Sequence, residues 1–353
     1  MTPDSRRTST APEPLASRQP GGGGRFVAAT VLRFRELGIA VFVLLIVGVA
    51  TLIDPRFLDP SNLRNILLYI PLITIVAMGQ MMVIVSRNID LSVGSSLALS
   101  AIIVGYLFVH HPDFPIWAAA ILAVLIGTVL GAINGVLVAW AGIPAIIVTL
   151  ATMSIYRGLV FIVSGGSQVS GGDLPVELIA LSRTSPVFGI PWIILLAVAV
   201  VLLTYLLLRY TETGREIYAI GSNPEAAALR GIPVKFNVFL VFTLCGAAAG
   251  LAGILYASRF GYVNPGNTGV NFELIVISAA IIGGANVFGG SGTVQGTLLG
   301  CLLIGVIHIA LAVLGISASW QTALYGLTIL LAVSLDAILH RRLRKHKEGA
   351  TMT

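Results

Sequence analysis

TETGREIYAIGSNPEAAALRGIPVKFN, residues 211–237, is a polar island between two long apolar segments. Together with Arg209 it carries seven charged side chains: Arg209, Glu212, Arg215, Glu216, Glu225, Arg230 and Lys235. The whole 353-residue chain has only 21 Lys and Arg and 15 Asp and Glu. Charge this dense between apolar runs belongs in water, because ionised groups are costly in hydrocarbon. The stretch therefore reads as a solvated connection that touches a partner.

Working outward, the whole chain is 56% hydrophobic and 10% charged, with mean hydropathy +0.96. Soluble domains carry about 25% charged residues, so the chain is read as an integral membrane protein. Its apolar runs approach the roughly 20 residues of a spanning helix, not the ten-residue alternation of an outer-membrane barrel. The fold class is all-α and polytopic, with about ten transmembrane helices. Expected spans lie near 38–53, 66–85, 93–109, 116–140, 145–163, 191–208, 238–257, 272–282, 293–314 and 321–338. The eighth is short and leads into GGANVFGGSG. Cys245 and Cys301 both sit inside apolar runs and read as packing residues rather than a disulfide or metal site.

The net charge of +6 does not point to nucleic acid, because the basic residues follow membrane topology. Sixteen of the 21 lie in the amino-terminal tail, the 86–91 turn, the 209–237 loop and the carboxyl tail, which assigns these to the cytoplasm. Arg56, Arg64, Arg183 and Arg259 fall on the other side, and Arg157 lies within a span. The expected organisation is a disordered basic tail over 1–35, a transmembrane domain over 36–340 with the 209–237 loop on its cytoplasmic side, and a basic cytoplasmic tail over 341–353. No cleavable signal peptide is expected.

Two polar breaks interrupt the apolar pattern. SRNIDLSVGS (86–95) offers Asp90 as a cap for the next helix and a partner for Arg87. GGANVFGGSGTVQG (283–296) is a glycine-rich break before the ninth span, tolerated at membrane depth only where buried in protein or lining water. Gly246, Gly250 and Gly253, and again Gly296 and Gly300, allow neighbouring helices to approach closely. Candidate pathway residues are Gln80, Asn88, Asp90, Ser92, Asn134, Arg157 and Gln295, with His308 a further polar residue at depth.

Catalytic chemistry finds little support. Metal-ligand spacing is absent, and the three lysines are followed by Phe236, His346 and Glu348, which excludes the GxxxxGK[ST] phosphate loop. No ATPase of its own, no cofactor and no catalytic residue are expected.

Four ordered segments resemble a known family. GSNPEAAALRGIPV (221–234), NIDLSVGS (88–95), IPAIIVTLATMSIYRGL (143–159) and GGANVFGGSGTVQGTLLG (283–300) are similar to permease subunits of bacterial ABC monosaccharide importers. That family comprises the ribose, xylose, arabinose, rhamnose and autoinducer-2 group. The resemblance covers roughly residues 38–340. It implies a vitamin B12-type permease fold in the inner membrane with both termini cytoplasmic. The partners it implies are two ATPase subunits, a second permease copy or paralogue, and a periplasmic sugar-binding protein.

On that resemblance a short coupling helix begins at Asn223-Pro224, follows the EAA-x-x-x-G spacing, and stops at Gly231. Asn223, Pro224, Glu225, Ala226, Ala227, Arg230 and Gly231 become the ATPase-docking residues. The longer Ile-x-Leu-Pro continuation of other importers is missing. RNIDLSVGS and YVNPGNTGVNFEL (262–274) are closest to the rhamnose and autoinducer-2 branches, which favours L-rhamnose or a related sugar, with autoinducer-2 as the alternative. The rival from another class is a stand-alone secondary transporter or channel.

Overall fold

A computed structural model describes residues 23–184, 189–317, 319–327, 330 and 334, and only the backbone of 23–36. The first 22 residues, the 341–353 tail and much of the last expected span lie outside the described residues.

Helices α1 (Gly23–Ile53), α2 (Pro60–Val85), α3 (Val93–His110), α4 (Ile116–Ala139) and α5 (Ala145–Ser164) form the first half. A short α6 (Val176–Arg183) precedes α7 (Trp192–Tyr210). The polar island folds into α8 (Glu212–Ser222) and α9 (Pro224–Leu229). Then come α10 (Val234–Phe260), α11 (Phe272–Ile282) and α12 (Val294–Val313), with further helical residues at 319–327.

Among the described residues, seven helices are long and apolar enough to cross a membrane: α2, α3, α4, α5, α7, α10 and α12. Leu37–Ile53 and Phe272–Ile282 are shorter apolar helices. A full span takes about 20 residues at 1.5 Å each, so α11, with 11 residues, covers little more than half of that path.

The bundle is built around α2, whose most apolar window is 94% buried, against 22% for α7 and 28% for α4 and α5. The outer helices turn large apolar side chains outward, among them Leu125, Val129, Leu150, Ile162, Leu202 and Leu203. In water this surface would drive aggregation; in lipid it is the expected outer face. All four tryptophans, Trp117, Trp140, Trp192 and Trp320, are exposed near helix ends, the position of an interfacial aromatic belt.

Helices pack closely where glycines remove the side chain. Gly127 and Gly131 of α4 meet Gly246 and Gly250 of α10 backbone to backbone, so a Cβ at any of them would collide with the facing chain. With no hydrophobic force between helices in lipid, this van der Waals contact is a main source of association.

The ends of the helices are chemically marked. Thr211 and Thr293 cap α8 and α12, accepting from Gly214 and Gly296 N–H at 3.1 and 3.0 Å. Gly165 and Gly261 close α5 and α10 in the left-handed conformation. At the turn after α1, Arg56 makes a forked ion pair with Asp54, 2.6 Å at its shortest, which lowers the Asp54 pKa.

The sequence does not announce α6 or α8. The latter arises because Ile217, Ile220 and Gly221 fall on one face of a charged segment and are buried.

Candidate functional site

The polar 209–237 connection and the glycine-rich break assemble into one surface. Asn223 starts α9 by accepting the Ala226 N–H at 3.0 Å, and Pro224 takes the first helical position, where no N–H is needed. The helix ends when Gly231 turns left-handed at φ 81° and Ile232 N–H returns to the Ala227 carbonyl at 3.1 Å. Of the alanine pair, Ala227 is buried while Ala226 is exposed. Glu225 and Arg230 are also exposed, and Leu229 is 90% exposed. The EAA spacing does not reveal this exposed apolar side chain.

Helix α8 lies between α9 and the membrane domain. Gly221 packs against the Val85 carbonyl at the end of α2 and the Gly290 N–H of the glycine-rich loop. Gly290 N–H donates to that carbonyl at 2.9 Å. Tyr218 Oη donates to the Gly292 carbonyl at 2.8 Å, and burial pushes the phenol pKa up. Gly292 directly precedes Thr293, the cap of α12. Asn237 on α10 donates to Glu216 Oε2 at 2.9 Å. The polar island is thus fastened to α2, α10 and α12 at once. Beside it a polar cavity of about 420 Å³ is lined by Tyr205, Arg209, Tyr218, Thr293 and Gln295.

The other sequence candidates divide into groups. Gln80, Asp90, Ser92 and Asn134 come together as a buried network on α2, the 86–92 break and α4. Asp90 Oδ1 accepts from the Ser92 N–H and Oγ at 2.8 and 2.7 Å. Asn134 Nδ2 donates to Ser92 Oγ at 2.8 Å. The Gln80 amide pairs with the Asp90 backbone, donating to its carbonyl at 3.1 Å and accepting its N–H at 3.2 Å. Arg87 does not join: it sits exposed at φ 69°, while Asp90 bonds to Ser92. Asn88 closes its own turn onto the Ser86 carbonyl at 3.0 Å. Arg157 reaches from α5 to the Thr268 carbonyl at 2.8 Å. Gln295 is apart from all of these, at the 420 Å³ cavity beside α8.

A second cavity, of about 350 Å³, lies among α2, α10, α11, α12 and residues 319–327. Tyr69, Tyr256, Asn267, Asn271, His308, Gln321 and Tyr325 contribute to its wall. Of these, only His308 stands out in the sequence, because the others gain meaning through contacts between distant segments.

Long apolar helices and an apolar outer face define a multi-pass membrane protein. Residues 62–333 match the family described as branched-chain amino acid transport system / permease component, and the chain belongs to that family. It is 36% identical over 308 residues to the D-allose transport system permease protein AlsC of Escherichia coli K12, covering 87% of this chain and 93% of the relative. It is 38% identical over 304 residues to the ribose import permease protein RbsC of Haemophilus influenzae, covering 85% and 92%. Against the autoinducer 2 import system permease protein LsrC of Enterobacter sp. strain 638, identity is 35% over 321 residues, covering 91% and 92%. No solved structure matches the chain.

Proposed function

We propose that this chain is the transmembrane subunit of an ATP-driven importer that carries a monosaccharide across the bacterial inner membrane. The observation that carries this reading is the capped α9 with its exposed Leu229, joined through α8 and the Tyr218–Gly292 hydrogen bond to the cap of α12. The printed names of the allose, ribose and autoinducer 2 relatives support the substrate class. In this reading both termini are cytoplasmic and the helices follow a vitamin B12-type permease arrangement. Two ATPase subunits dock at α9 of two permease chains, identical or paralogous, and a periplasmic binding protein delivers the sugar.

Mechanically, closure of the ATPase pair displaces α9. Helix α8, being fastened to the glycine-rich loop, moves the start of α12 and the end of α2 with it. A cap and a loop are the parts of a bundle that can shift at little cost, while packed glycine seams move as rigid units. Within the substrate class, residues 87–95 and 262–274 resemble the rhamnose and autoinducer 2 branches alike; L-rhamnose or a related sugar is the preferred cargo and autoinducer 2 the alternative. An uptake panel of L-rhamnose, D-allose, D-ribose and autoinducer 2 decides between them.

The rival reading, a stand-alone secondary transporter or channel, predicts uptake by the chain alone with an ion dependence. Proteoliposomes prepared with and without the ATPase subunits separate the two. ATP-dependent uptake only in their presence supports the importer; equal uptake in both contradicts it.

A further inference from the structure

The segment between α10 and α11 runs back into the bundle without helical structure. Gly261, Gly269 and Asn271 all have positive φ, at 74°, 69° and 58°. Val263 pairs with Val169, and Gly269 then meets Gly94 at the start of α3. Gly253 of α10 packs against Leu97 and Ala101 of α3, so Gly94 and Gly269 lie roughly 15 Å below the end of α10 at a 1.5 Å rise per residue. Non-helical backbone at that depth is tolerated where it is buried in protein or lines a water-filled space. Here Thr268 and Gly269 are buried, whereas Asn267 and Asn271 are exposed on the wall of the 350 Å³ cavity.

Two kinds of group line this space. Aromatic rings form one: Tyr69 stacks on His308 at 4.2 Å, and Tyr256 lies 4.4 Å from Phe260. Amides form the other, with Asn267 and Asn271 on the irregular segment and Gln321 on residues 319–327. Ring faces suit the C–H faces of a saturated ring, and each amide offers both donors and an acceptor to hydroxyl groups. No Asp, Glu, Lys or Arg lines the cavity among the described residues. A free amino acid brings a carboxylate and an ammonium together, and both would lie here without a charged partner, which is costly away from bulk water. Small-ligand pockets begin at roughly 300 Å³, so this one is sized for a single small ring.

We propose that this cavity is a holding station on the transport path for a neutral polyhydroxylated molecule of monosaccharide size, and that it rejects amino acids. The inference rests on the sugar-importer reading and adds where, and by which side chains, the permease touches its cargo. The buried network of Gln80, Asp90, Ser92 and Asn134 is then a structural clasp, since its hydrogen-bonding groups face one another.

The test uses the full chain in nanodiscs carrying Asn271→Cys or, separately, Asn267→Cys, labelled with a membrane-impermeant thiol reagent. The native Cys245 and Cys301 are both fully buried and give little background. Expected is labelling at both positions that D-allose, D-ribose or L-rhamnose slows at least about threefold and L-leucine does not. Absence of labelling, no slowing by any of the three sugars, or slowing by leucine alone overturns the proposal. In the assembled transporter, Gln321→Leu and Asn267→Ala should each lower the uptake rate by about fivefold at unchanged membrane abundance. ATP-driven sugar uptake that both variants leave intact defeats the holding station alone. Failure of the unmutated transporter to take up any of these sugars defeats the importer reading and the station with it.

Discussion

The hydroxyl of Tyr218 donates to the backbone carbonyl of Gly292 at 2.8 Å, bridging 74 residues of sequence between α8 and the loop that starts α12. This is a direct link from the polar 211–237 segment to the start of a membrane helix. Tyr218→Phe removes the donor and leaves the ring, at a cost of about 1 kcal/mol. Membrane abundance should stay normal, while sugar moved per ATP hydrolysed falls several-fold. Unchanged coupling would show that the link carries no motion.

Leu229 and Ala227 should respond differently despite being two residues apart. Leu229→Asp changes a side chain that is 90% exposed, so folding survives and co-purification with the ATPase subunits is lost. Ala227 is 3% exposed, and Ala227→Arg forces a charge into the contact beneath α9. That variant should lower protein abundance in the membrane as well as docking. Quantitative blotting beside pull-down of the ATPase distinguishes the two effects.

The α4–α10 seam predicts severe overpacking defects. Gly246→Val places its added atoms against the Gly127 carbonyl and the Gly131 backbone, which no rotamer relieves. Overpacking typically costs about 1–3 kcal/mol, and rigid backbone on the far side raises that. A lowered unfolding temperature in detergent checks it. Gly158→Ala is the control, because nothing lies within 4 Å of a Cβ there.

Asp90 separates a structural role from a pathway role. Asp90→Asn keeps an oxygen that can accept from Ser92, whereas Asp90→Ala leaves the Ser92 donors and their Asn134 partner short of bonds. The alanine variant should lose about 1–3 kcal/mol of stability and the asparagine variant much less. Thermal unfolding measures this. Transport abolished in a stable Asp90→Asn protein would place Asp90 on the path after all.

Much of the membrane domain was legible because apolar length is a direct physical requirement of the bilayer. The expected spans at 93–109, 116–140, 145–163 and 293–314 agree with α3, α4, α5 and α12 to within a residue or so. Boundaries drifted where polar residues continue a helix: α2 begins at Pro60 instead of 66, and α10 runs from Val234 to Phe260 rather than 238–257. Residues such as Asn62, Arg64 and Lys235 lower hydropathy without breaking hydrogen bonding, so an apolar count stops short of the true end.

The short elements were harder to read. Asn223-Pro224 and Gly231 mark the start and stop of α9 chemically, so it was predictable. In α8 only Gly214, Ile217, Ile220 and Gly221 are buried, two of them glycines, too little apolar surface to stand out among charges. For the same reason Leu229 escaped notice, since one and a half turns have no periodicity to reveal which face is covered. The aromatic and amide cavity depends on Tyr69, Asn271, His308 and Gln321 meeting from four separate segments, and local sequence carries no sign of that encounter.

In the proposed importer, sugar moves only when a separate motor acts on α9. The most direct measurement is uptake of D-allose, D-ribose and L-rhamnose into proteoliposomes containing the chain, its partner ATPase and binding protein, compared with the chain alone. Uptake of at least one sugar that requires ATP and the ATPase, and that Leu229→Asp abolishes, is the predicted result. Sugar uptake by the chain alone, driven by an ion gradient and indifferent to Leu229→Asp, would contradict it.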